Sequence, residues 1–129
     1  MTTQTTVKPA ADERAKSHGD RAHLLRAIAH AITDGRLPGP ASVDLYPQFG
    51  HALLRFDNDD ILAVDAWAAL IGATVVHDGR AYDENSPRPW HEYGSRPRGG
   101  ERGLWHDWRI DLWCVVFGPS PAAESEAGA

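Results

Sequence analysis

Twice in this sequence an amphipathic helical stretch stops at a glycine and gives way to alternating apolar and polar residues, and few architectures accommodate that plan. The first stretch runs from about Asp20 to Asp34. Leu24, Leu25, Ile28, Ala31 and Ile32 recur at the three-to-four residue spacing of one helix face, and Asp20 is placed to cap it. Gly35 offers the left-handed conformation that closes a helix, and Pro38 prevents continuation. The second stretch, about Asp59 to Ile71, starts after a cap at Asp57 or Asn58. Asp59 and Asp60 sit where the helix dipole favours negative charge, Val64, Trp67, Leu70 and Ile71 form the apolar stripe, and Gly72 ends it.

Beyond each helix the chain reads as paired strands. Ser42–Tyr46 alternates, Pro47-Gln48-Phe49-Gly50 supplies turn chemistry, and His51–Asp57 puts Ala52, Leu54 and Phe56 on one face. After the second helix, Ala73–His77 is expected to turn at Asp78-Gly79 into Arg80–Tyr82, since Asp-Gly is a strong hairpin signal. A long strand closes the pattern, with Trp108, Ile110, Leu112, Cys114 and Val116 on one side and Arg109, Asp111, Trp113, Val115 and Phe117 on the other. The expected fold is therefore α+β in the order α-β-β-α-β-β, a two-layer sandwich of an antiparallel sheet with both helices on one face. Trp67 and Trp108 are its expected core anchors.

Residues 1–17 and 118–129 are read as disordered tails flanking one domain over 18–117, because neither end has enough apolar surface to offset the entropy of ordering. No apolar run reaches the length of a membrane span, the N-terminus has no secretory signature, and the one cysteine, Cys114, excludes an intrachain disulfide. These features imply a cytoplasmic setting without membrane contact. The chain carries 13 basic and 18 acidic residues for a net charge of −5, which argues against generic duplex binding.

Asp83–Gly103 breaks the alternation and reads as a long loop. It is locally basic in an acidic chain: Arg88, Arg96, Arg98 and Arg102 lie among Trp90 and Tyr93, with Trp105 just beyond. Loops of this length inside a compact domain are usually functional or disordered. Two readings stand side by side. One is a recognition loop using Arg88, Trp90, Tyr93, Arg96, Arg98 and Trp105, because arginine and large aromatics suit protein hot spots and also stack and pair with single-stranded nucleic acid. The other is an insertion that folds its aromatics back over the sheet edge.

Catalytic and metal chemistry finds little footing. His23 and His30 are two helical turns apart, and no HExxH or CxxC pattern is present. His77, His91 and His106 form a site only if the loop brings them together. Cys114 lies in an apolar run and reads as a buried hydrophobe. Ser42 and Ser95 lack a nucleophile-elbow context, Asp107 and Asp111 read as a solvated strand face, and Gly99-Gly100 lacks the following helix a phosphate cradle needs. No catalytic residue, metal ligand or cofactor is assigned.

Leu37-Pro38-Gly39-Pro40 through Leu53-Leu54-Arg55-Phe56, then Ala66-Trp67-Ala68-Ala69-Leu70-Ile71-Gly72-Ala73, resembles small uncharacterised proteins of Streptomyces-type actinobacteria and their mobile elements. That resemblance implies a bacterial cytosolic setting and a phage or plasmid origin. It brings no catalytic residues and does not reach the loop. The function expected is a non-enzymatic protein-interaction or regulatory domain acting through the loop. Single-stranded nucleic-acid binding by the same loop is the alternative, and a small metal-dependent enzyme the third. A second copy of the chain is a further candidate partner.

Overall fold

A computed structural model describes residues 14–82, 85 and 87–121. The expected tail segments 1–13 and 122–129, together with loop positions 83, 84 and 86, lie outside the described residues. The fold is α+β: two helices and a six-stranded, mostly antiparallel sheet. Helix α1 spans His18–Thr33 and α2 spans Ile61–Ile71. The strands are β1 Ser42–Tyr46, β2 His51–Arg55, β3 Val76–His77, β4 Trp90–Gly94, β5 Gly103–Trp105 and β6 Trp108–Phe117. Among the described residues no helix is long and apolar enough to cross a membrane.

Both helices begin later or earlier than the sequence suggests, because a different side chain captures the first free N–H groups. Ser17, not Asp20, caps α1, and Asp20 is the third residue of a capping box whose carboxylate accepts the Ser17 N–H. Asp60 caps α2 by accepting the Ala63 N–H. Gly72 takes the left-handed conformation at φ 74°, as expected, whereas at the end of α1 it is Arg36 that turns left-handed, at φ 56°. A Cβ on Gly35 would lie 2.6 Å from the Ala31 carbonyl, so this glycine is needed for close approach. Helix α1 is also anchored from before its start. Lys16 is 5% exposed, its N–H bonds to Pro47 and its ammonium to the Asp107 carbonyl.

Strand β6 is the axis of the sheet, which runs β1-β2-β6-β4-β3 with β5 also paired to β6. The β1–β2 hairpin forms as expected, but β2 lies parallel to β6, with Ala52 opposite Ile110 and Leu54 opposite Leu112. The largest difference falls in the segment read as a loop. Trp90–Gly94 is a strand pairing with both β6 and β3, and Gly103–Trp105 turns back along β6. Its alternation is hidden because the strand carries His91 and Tyr93 where an apolar residue is expected, and both are buried. The Asp78-Gly79 signal makes a local turn in which the Asp78 carboxylate accepts the Arg80 N–H, yet Tyr82 pairs with Trp90 and not with the preceding strand. The β5–β6 hairpin turns instead at His106-Asp107, both left-handed at φ 50° and 65°.

One core cluster contains Leu24, Ile28 and Ala31 of α1, Val64, Trp67 and Ile71 of α2, and the even-numbered residues Trp108, Ile110, Leu112 and Cys114 of β6. Trp67 is fully buried, and its indole N–H donates to the Pro38 carbonyl at 2.7 Å. Burying side chains of this size stabilises by about 1.5–3 kcal/mol each. Burial of Cys114, with the Asp60 and Asp59 carboxylates nearby, pushes its thiol up to about 12, so it stays protonated and inert.

Candidate functional site

The odd-numbered side of β6 is built differently. Strands β4 and β5 lie end to end along one edge of β6, and Ser95 fills the gap between them. Its N–H donates to the Leu112 carbonyl at 3.0 Å, and its hydroxyl accepts the Leu112 N–H at 2.9 Å. From Ser95 the chain leaves the sheet and returns at Glu101, which pairs with Thr74. Gly100 makes the return possible, since a Cβ there would lie 2.6 Å from the Ser95 carbonyl. The excursion encloses a cleft of about 670 Å³ whose walls include His51, Arg96, Arg102, Arg109 and Asp111, with Tyr46 and Leu104 at its rim.

Asp111 is the hub of this cleft. It is 3% exposed, and three groups on three parts of the chain serve its carboxylate. His51 Nε2 lies 2.6 Å from Oδ2, Arg102 Nε lies 3.2 Å from the same oxygen, and the Ser95 hydroxyl donates to Oδ1 at 3.0 Å. Burial alone raises the carboxyl pKa, but the His51 hydrogen bond, the Arg102 charge and the Ser95 hydroxyl together hold it below the usual 3.8. A carboxylate only accepts, so His51 Nε2 donates and the lone pair of a neutral ring sits on Nδ1. That nitrogen has no hydrogen-bond partner among the described residues. The His51 side chain is 21% exposed. His51, Asp111 and Ser95 are not a nucleophilic triad: the hydroxyl bonds the carboxylate, not the imidazole, and Ser95 is itself buried.

Beyond the cleft the same side of β6 carries rings covered by guanidiniums. Trp113 lies between Arg55, 4.7 Å from its ring centre, and Arg96, 5.8 Å away; Arg88 lies 3.8 Å from the centre of Phe117.

The six residues singled out in the sequence are thus dispersed. Arg96 is exposed and lies between the cleft and a second polar hollow, which it lines together with Arg98, Arg80 and Glu92. Arg88 covers Phe117, and Trp90 stacks on Tyr82 with ring centres 4.4 Å apart. Tyr93 is buried with its hydroxyl donating to Asp65; burial, then that hydrogen bond, raises its pKa well above the ordinary tyrosine range. Trp105 packs edge-on against Trp67 at 5.8 Å. Asp111, read as a solvated strand position, is the residue that sequence reasoning missed. Its signal was its place between Ile110 and Leu112, both fully buried, at the centre of the strand.

The histidines fall into pairs. His77 Nδ1 and His91 Nε2 are 2.8 Å apart, and His91 Nδ1 donates to the Gly118 carbonyl at 3.1 Å. His91 Nε2 is then the acceptor and His77 Nδ1 the donor when both rings are neutral. Burial, and then the neighbouring His91, lower the His77 pKa from 6.5. His106 does not join them; it meets His23 at 3.0 Å. Among the described residues no cluster of three or more His, Cys, Asp or Glu side chains is arranged to hold a metal ion. Compared with known proteins, the chain matches no family model, no curated protein and no solved structure.

Proposed function

We propose that the chain is a non-enzymatic interaction module, built as two layers with both helices against the even-numbered side of β6 and the odd-numbered side left for recognition. Its partner is an acidic segment of another protein. The observation that carries this reading is the cleft itself. Arg96, Arg102 and Arg109 line it in a protein whose net charge is −5. Asp111 fixes Arg102 and His51 in place, so part of the ordering cost of binding is met before the partner arrives. Recognition of acidic motifs by arginine clusters is a recurrent binding mode. A cytosolic setting fits a chain whose single cysteine is buried and unpaired.

The test is fluorescence anisotropy with a labelled hexaglutamate peptide. Saturable binding that weakens with salt is expected, falling about ten-fold or more when Arg96 and Arg102 are both changed to Gln, since each removes a charged contact. Binding that is absent at low salt, or untouched by the double variant, rules the reading out.

A second reading rests on the arginine-covered rings. Trp113 and Phe117 with Arg55, Arg96 and Arg88 supply the aromatic and cationic groups that single-stranded nucleic acid uses. An oligothymidine that binds more tightly than hexaglutamate, and loses that advantage in Trp113→Leu, favours this second reading over the first.

A further inference from the structure

A second concavity lies away from the arginine cleft, and its walls are of different chemistry. Strand β5 separates the two: Leu104 lines the cleft, and the next residue, Trp105, lines a groove of about 560 Å³ between α1 and the end of α2. We infer that this groove takes a small amphiphilic monocarboxylate, of which a medium-chain fatty acid is the simplest, with its chain along α1 and its carboxylate at Arg26.

The groove exists because α1 is narrow along one row. Ala27 and Ala31 stand one turn apart, and neither side chain is long enough to close the space toward Leu70 and Trp105. Leu37, beyond the turn at Gly35, completes the apolar wall. Leu70 is 46% exposed, a large apolar side chain whose remaining surface a ligand can cover. The lining residues run along α1 from His23 to its cap Asp34, about 16 Å of helix at about 1.5 Å per residue. An elongated apolar chain follows such a trough, and its volume lies in the range of small-molecule sites.

The two ends of the trough differ in charge. At the far end the Asp34 carboxylate is already served within the chain, with His30 Nδ1 at 2.7 Å. Two turns earlier Arg26 also lines the groove, and it forms no ion pair among the described residues. One turn before Arg26, His23 Nε2 meets His106 Nδ1 at 3.0 Å. Between two neutral rings one of these nitrogens donates and the other accepts. Either arrangement leaves the pair one further N–H, so no proton has to be taken up for it to donate. A guanidinium fork serves the two coplanar oxygens of a carboxylate, and an imidazole N–H beside it adds a third donor. Asp34 repels an anion at the opposite end, which fixes the direction in which an acid lies.

The experiment is an amide chemical-shift titration of the full chain with octanoate, butyrate, 1-octanol and octylammonium in parallel, below the concentrations at which they self-associate. Octanoate is expected to shift the amides of Ala27, Ala31, Leu70 and His106 saturably and to leave those of Ser95 and Asp111 in the cleft unmoved. Butyrate should bind at least about ten-fold more weakly, because each CH₂ removed takes away buried apolar area. Octanol should bind about ten-fold more weakly than octanoate for want of the charged contact, and octylammonium more weakly still. Arg26→Gln should lower octanoate to the affinity of octanol and leave octanol itself unchanged. Ala27→Leu fills the trough and should abolish binding of both. If octanol matches octanoate, or Arg26→Gln leaves octanoate untouched, the groove is not a carboxylate site and the inference fails. It fails equally if octanoate moves none of these amides, or still binds the folded Ala27→Leu variant. If the same amides shift on raising the protein concentration alone, a second copy covers the groove and the inference is overturned. The acidic-partner reading stands or falls separately, since Arg96 and Arg102 line a different concavity.

Discussion

Neighbouring positions on the two sides of β6, Leu112 and Asp111, reach nearly the same depth of burial by opposite means. On the even-numbered side, Ile110, Leu112 and Cys114 are 0% exposed and belong to one core cluster with apolar side chains of α1, α2 and β2. On the odd-numbered side, Asp111 is 3% exposed because the chain from Ser95 to Arg102 folds over it and supplies its partners. Water is excluded by packing in one case and by a tethered peptide in the other. The first needs only hydrophobic area, which is tolerant of detail. The second needs every partner in place, because a buried charge left unpaired is expensive.

Substitutions along β6 and at its neighbours can break that contrast. Leu112→Ala should cost about 3 kcal/mol, as for other fully buried leucines, whereas Val115→Ala on the half-buried opposite side should cost less than about 1 kcal/mol. Equal costs in urea denaturation would mean the two sides are packed alike.

Asp111→Asn comes next, at about 2–3 kcal/mol near pH 7, since it keeps the side-chain size but removes the charge that holds His51 and Arg102. The sign of its pH dependence comes from the lowered carboxyl pKa. Its contribution is complete above the unfolded value of 3.8 and disappears as pH falls through the lower folded value. The stability gap between wild type and variant should therefore close in strong acid. A gap that stays constant from pH 7 to strong acid would show that the charge is not what matters.

The histidine pair gives a smaller effect. His77 lies opposite Tyr93 in the sheet, and its depressed pKa means the folded state resists taking its proton. Stability should hold above pH 6.5 and decline as pH falls from there toward the folded pKa. The slope should flatten in His77→Gln, measured as the denaturation midpoint across pH 7.5 to 5. An unaltered slope in the variant would assign the acid sensitivity elsewhere. Smallest of all, Asp107→Gly should stabilise by about 0.5–1 kcal/mol by relieving a left-handed non-glycine residue, provided the backbone carbonyl that Lys16 uses stays in place. A loss of stability there would mean the Asp107 side chain does something the hydrogen-bond pattern does not reveal.

Legibility in the sequence divides along the same line. Trp67, Leu112 and Ala52 announce themselves, since apolar periodicity reflects burial by packing and is a local property of the chain. The β1–β2 hairpin and the left-handed Gly72 are local in the same sense. Asp111 does not announce itself: its partners His51, Ser95 and Arg102 come from three places, and no spacing rule links them. Strand β4 is hidden for a related reason. His91 and Tyr93 are polar residues whose hydrogen bonds to His77, Gly118 and Asp65 are made across the sheet, by the segment after β6 and by helix α2. The His106-Asp107 turn escapes because it lacks the glycine that usually marks a two-residue hairpin turn. The candidate site is legible only as a run of arginines, and the structure draws Arg96 and Arg102 from that run into the cleft.

The placing of β6 has a further consequence, for the time course of folding. It is the last strand in sequence and the axis of the sheet, and the contact of His51 with Asp111 spans 60 residues. The β1–β2 hairpin can close early and locally, but until β6 docks it offers an unsatisfied edge to any extended chain nearby. Closing so wide a span is slow compared with forming either helix. The interval between hairpin closure and β6 docking is then the period of greatest exposure to aggregation. Strengthening the tight β5–β6 turn shortens that interval by delivering β6 to its partners already folded back on itself.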